Sequence, residues 1–156
     1  ITAVLAAAVI SAFQGTIEKV VALAVLMPIV ASMGGIAGTQ SLTVLIRAMA
    51  MGQVNNRTEL WLVRREVYVA MLNGLLWSIV IAAMAVYWFD DPILGGIIAA
   101  AIMINLLTAG LAGAALPIIL ERLDIDPALA GGVVLTTITD VVGFFAFLGL
   151  AAYFYG

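Results

Sequence analysis

Asp140 is the single charged residue between Ala128 and Gly156, in an otherwise apolar run. An intramembrane carboxylate costs about 2.5 to 3.5 kcal/mol on insertion scales, so it is expected to face water, a cation or a partner inside a bundle. Steps of four residues back along a helix give Thr136, Gly132 and Ala128, one stripe that becomes more polar toward the acid. Thr139, Thr137 and Gly143 widen it. Hydroxyls, carbonyls and a carboxylate are hard oxygen ligands, suited to magnesium, calcium or manganese. The alternative for Asp140 is a protonated acid hydrogen-bonded to a neighbouring helix as a packing device.

A second polar interruption lies at Pro28 to Ser41, PIVASMGGIAGTQS. Gly34, Gly35 and Gly38 follow a proline and precede Thr39, Gln40 and Ser41, a pattern expected to break or pinch a helix at membrane depth. Irregular backbone there is tolerated where protein or water satisfies it, so the stretch is read as lining a cavity. Close packing through small residues is the competing reading. The two segments share a GGxxxT frame, Gly34 to Thr39 and Gly131 to Thr136, each after a proline. Asn105 sits in mid-membrane and either lines the path or bonds helices together; Asn73 reads as interhelical glue. Glu121 and Asp126 stand in an acidic turn, where Asp126 and Pro127 suit an N-cap and first helical position. A cytoplasmic cation-attracting mouth is compatible with that role.

These residues must be positioned by membrane helices. The 156 residues are 65% apolar and 10% charged, with a mean hydropathy of +1.24. There is no Cys and no His, which excludes disulfides, thiol chemistry, zinc sites and imidazole relays. A net charge of −3 argues against nucleic acid as a partner. A crossing takes about 20 helical residues, and the sparse charges cut the chain into five apolar segments, read as helices over about 1–15, 18–51, 67–89, 93–120 and 127–155. The fold class is therefore all-α, an integral five-helix transmembrane bundle forming one domain over 1–156. The first segment is too short to span and reads as a helix with its beginning trimmed away. Arg47, Arg57, Arg64, Arg65 and Arg122 fall on one side, which the positive-inside rule makes cytoplasmic, with the amino end inside and the carboxyl end outside. Trp61 and Tyr68 flank that inner face, and Tyr87, Trp88, Tyr153 and Tyr155 the outer one.

Taken together, PIVASMGGIAGTQS with the amphipathic stretch ending at Arg47, the inner arginines, and DPALAGGVVLTTITD with its buried acid resemble the transmembrane domain of the MgtE family of magnesium channels. The resemblance covers nearly the whole chain. It implies a homodimer in the cell membrane whose second and fifth helices surround a central pore, with Asp140 of both subunits holding hydrated Mg2+ as transported ion and pore ligand. It also implies cytoplasmic regulatory domains before Ile1, and no enzymatic activity or organic cofactor. At Ile36 the family usually carries Asn, so one amide is missing from the path, while Gly34, Gly35, Gly38 and Gln40 keep the pattern. Two further readings stay open from the residues themselves: a proton- or sodium-coupled transporter that uses Asp140, and a non-transporting membrane anchor. Homodimerisation follows also from charge, because one bundle offers one buried carboxylate and a divalent cation calls for more.

Overall fold

The computed structural model describes residues 1–55 and 57–156. The described residues form six helices and no strands: α1 (Thr2–Ala12), α2 (Gln14–Lys19), α3 (Ala22–Ala50), α4 (Glu59–Phe89), α5 (Pro92–Arg122) and α6 (Pro127–Tyr155). Four of them, α3 to α6, are long and apolar enough to cross a membrane; α1, at 11 residues, is shorter.

The helix ends follow from local chemistry. Asp90 takes a left-handed conformation (φ 52°) that closes α4, a position aspartate tolerates better than most side chains. Asp91 then accepts from the amides of Ile93 and Leu94 at 2.8 and 3.1 Å, and Pro92 starts α5 where no amide is needed. Asp126 caps α6 in the same way, accepting from Ala128 N at 2.8 Å ahead of Pro127.

Helix α5 is the axis of the bundle. Its most apolar stretch is 56% buried, against 28% to 33% for the other three long helices. Small residues explain this, since Gly95, Ala101, Ala109, Gly110, Gly113 and Ala114 are all buried and let neighbouring backbones approach. Leu23, Leu26 and Val30 of α3, Ile98 and Ile102 of α5, and Phe144, Phe147 and Leu148 of α6 complete the main core. A smaller cluster of Leu45, Leu62 and Ala114 closes the arginine-rich end.

Three expectations change. The glycine segment does not break its helix: α3 runs uninterrupted from Ala22 to Ala50 with Pro28 inside it. Each glycine costs up to about 1 kcal/mol of helix propensity, and here Gly34 and Gly38 offset it by admitting Asn105 and Leu135 against the backbone. The helix expected over 67–89 begins eight residues earlier, at Glu59, so Arg64, Arg65 and Glu66 lie on α4 and not in a loop. Charges near a membrane boundary do not end a helix when the long side chains can snorkel outward. At the other end Glu18 and Lys19 belong to α2, with Val20 and Val21 between it and α3.

Candidate functional site

The stripe expected on α6 exists as a surface feature. Ala128, Gly132 and Thr136 are exposed and Asp140 is half-buried, while Thr139, expected to widen the stripe, is fully buried with Leu135 on the adjoining face. Asp140 has no hydrogen-bond or ion-pair partner among the described residues. Thr137, also expected on the path, is half-buried, and its hydroxyl donates to the Val133 carbonyl at 2.8 Å.

Beside this stripe runs a groove of about 600 Å3 lined by Gly35, Ile36, Thr39, Gln40, Thr43 and Thr136, with Val44 at its edge. Helix α3 supplies one wall and α6 the other. Every hydroxyl in it donates back to its own helix: Thr39 to Gly35 at 2.7 Å, Thr43 to Thr39 at 2.8 Å and Thr136 to Gly132 at 2.9 Å. With the donors spent, the hydroxyl oxygens present lone pairs to the groove. The groove is otherwise mostly apolar, and these hydroxyl oxygens with the Gln40 amide are its acceptors for the outward-turned hydrogens of a hydrated cation. The sequence points to Thr136, Gly35, Ile36, Thr39 and Gln40 as lining residues but not to Thr43. Its spacing of four residues from Thr39 is the signal that finds it.

Gly34, Gly38 and Asn105, expected to face the path, are inside the protomer. Asn105 has no exposed surface, and its Nδ2 donates to the Val30 carbonyl at 2.8 Å. A β-carbon at Gly34 would meet that amide at 2.3 Å and one at Gly143 at 2.6 Å, so the two glycines form the slot that holds it. Its Oδ1 is buried without a partner. Asn105 therefore joins α5 to α3 and α6, the interhelical role left open by the sequence. Gly38 instead packs on Leu135. Glu121 and Asp126 are both exposed, and the neighbouring Arg122 pairs with Glu59, tying the end of α5 to the start of α4.

A second carboxylate went unnoticed in the sequence. Glu66 is only 8% exposed, and Ser41 Oγ donates to its Oε2 at 2.9 Å. It lies just before the helix expected over 67–89, beside Arg64 and Arg65, where the sequence reads as a polar loop.

Four apolar helices around small-residue contacts, with a carboxylate on α6 near a groove that carries three hydroxyls, define a polytopic helical membrane protein. A family model described as a divalent cation transporter, MgtE, matches residues 27–150. The magnesium transporter MgtE of Bacillus subtilis (strain 168) is 36% identical over 146 residues, covering 94% of this chain and 32% of that protein. The magnesium transporter MgtE of Thermus thermophilus is 32% identical over 151 residues, 97% of this chain and 33% of the relative. That of Enterococcus faecalis is 29% identical over 148 residues, 95% and 33% respectively. The chain belongs to the MgtE family. It spans about a third of the length of the curated relatives it matches.

Proposed function

We propose that this chain is the ion-conducting membrane domain of a magnesium channel, passing hydrated Mg2+ down its electrochemical gradient between two copies of the chain. The observation that carries the reading is Asp140, without a partner among the described residues and one helical turn from Thr136 in the open groove between α3 and α6. A single protomer would turn that face to lipid, where polar surface and a carboxylate are both costly. A two-fold axis beside the face would bring α3 and α6 of both copies around one path and set two Asp140 carboxylates against one divalent ion. Thr136 on the α6 side and Gln40 on the α3 side would hold its water shell, with Gly132, Ala128, Gly35 and Ile36 lining the path around them. Magnesium gives up its waters reluctantly, so a wide path with few direct ligands binds the hydrated ion and still releases it.

In this reading the arginine-rich end faces the cytoplasm, α6 ends outside, and the unmatched two thirds of the relatives' length includes cytoplasmic regulatory domains. α1 supplies the fifth helix of each protomer. At an inside-negative potential a divalent ion gains roughly 4.6 kcal/mol per 100 mV on entry, so no coupling ion is needed.

The test is flux into liposomes that hold a magnesium-sensitive dye, under an imposed inside-negative potential. Wild-type uptake that ignores proton and sodium gradients and is lost in Asp140→Asn is the expected result. Equal uptake in wild type and variant would sink the assignment of the path to Asp140. Uptake that requires a proton or sodium gradient would favour the coupled transporter.

A further inference from the structure

Helices α3 and α4 are held apart by two adjoining cavities, floored by Leu106 and Gly110 of α5. The larger, about 350 Å3, is mostly apolar apart from Gln40 and Asn73. The smaller, about 260 Å3, is the more polar of the two: Glu66, Ser41, Gln40 and Asn73 all border it. The Ser41–Glu66 hydrogen bond bridges the gap between the helices.

A carboxylate this deeply buried needs compensation for its charge. Among the described residues no ion pair reaches Glu66. Arg65 borders the same cavity, but its guanidinium lies over the Trp61 ring, 5.9 Å from the centroid. One hydroxyl donor satisfies part of one carboxylate oxygen and supplies no positive charge. The other groups on the cavity wall, two amides and the hydroxyl, add oxygen ligands without nitrogen bases or thiols, which is the donor chemistry of a hard cation. The volume exceeds what a bare ion fills and leaves room for several waters at roughly 30 Å3 each.

We propose that the cleft between α3 and α4 is a second cation site in each protomer, in which Glu66, held by Ser41 and bordered by the amides of Gln40 and Asn73, binds a partly hydrated divalent cation. Gln40 borders both this cleft and the groove beside Thr136, so the two sites meet at one side chain. The cleft site does not depend on Asp140. Arg65 at its margin opposes the cation and sets its affinity.

Manganese is the probe, with free Mn2+ read by electron paramagnetic resonance while the purified chain in mild detergent is titrated. Glu66→Gln keeps the shape and an acceptor for Ser41, so it removes charge without removing the bridge. Wild type and Asp140→Asn are expected to bind Mn2+ at a site that Glu66→Gln weakens at least about tenfold, and Asn73→Leu is expected to weaken the same site. Arg65→Gln is expected to tighten it, a change that a purely structural Glu66 would not produce. Superimposable titrations of wild type and Glu66→Gln, or loss of all binding in Asp140→Asn alone, would overturn the proposal. Because Asp140→Asn tests the groove by flux and Glu66→Gln tests the cleft by binding, either reading can fail while the other stands.

Discussion

Gly113 of α5 faces the backbone carbonyl of Gly38 on α3 so closely that a β-carbon at Gly113 would lie 2.6 Å from that oxygen and 2.9 Å from the Ser41 β-carbon. Backbone cannot move aside as the end of a side chain can. Gly113→Ala is therefore expected to push α3 away from α5 and to destabilise the bundle by about 1 to 3 kcal/mol. Gly35 has open space where its β-carbon would lie, so Gly35→Ala should leave the unfolding midpoint unchanged or slightly raised. Thermal unfolding in one detergent checks both. Equal midpoints would mean that α3 and α5 do not pack as described.

The Asn105 slot makes a second prediction, about coupling. Gly34→Ala introduces a methyl into the space of a buried amide already bonded to Val30, and is expected to destabilise by about 1 to 3 kcal/mol. Asn105→Ala vacates that space. The double variant should then be more stable than Gly34→Ala alone, a favourable interaction energy in a double-mutant cycle. Additive effects in the same unfolding assay would show that the methyl does not meet the amide.

Much of this architecture was legible in the sequence because membrane helices announce themselves by apolar length, and because Asp126-Pro127 and Asp91-Pro92 are cap signals that act locally. The Asp140 stripe was legible for the same reason, since a period of four needs only one helix to form. The glycines were harder. Gly34, Gly35 and Gly38 look alike in a string of letters, yet Gly34 and Gly38 admit side chains from α5 and α6 while Gly35 borders the groove. Which face a small residue serves depends on which helix lies across from it, and that is tertiary information. Glu66 was hidden by a boundary error: Arg64 and Arg65 beside it suggested a polar loop, and only the continuation of α4 to Glu59 carries the acid into the bundle.

Chemical access should separate the two sides of α6. The chain has no cysteine, so any introduced thiol is the sole target. Thr136→Cys and Gly132→Cys on the exposed stripe are expected to react with a water-soluble, membrane-impermeant thiol reagent in liposomes, and Thr139→Cys, from a position with no exposed surface, to resist it. Saturating Mg2+ should slow the reaction at Thr136→Cys, the nearer of the two to Asp140. Protection of all three positions would mean that the stripe faces lipid or protein and not water.

At the far end of the bundle, Tyr155 closes α6 onto the start of α5 by donating its hydroxyl to Asp91 Oδ2, while Asp91 Oδ1 caps the helix. The tyrosine bond, helped by the Leu94 and Ile93 amides and opposed by partial desolvation, holds the Asp91 carboxyl below its ordinary value of 3.8. A carboxyl that gives up its proton more readily when folded stabilises the fold at every pH above its unfolded value, and that contribution disappears as pH falls through the lowered one. Tyr155→Phe removes the largest cause of the shift. The gap in unfolding midpoint between wild type and Tyr155→Phe is therefore expected to stay constant from about pH 8 to about pH 5 and to narrow below about pH 4. Asp91→Asn should show the same closing gap, since it removes the titrating carboxyl itself. Melting curves across that range decide the matter, and a gap that persists unchanged to pH values near 3 would assign the Tyr155 effect to packing alone, without the charged hydrogen bond.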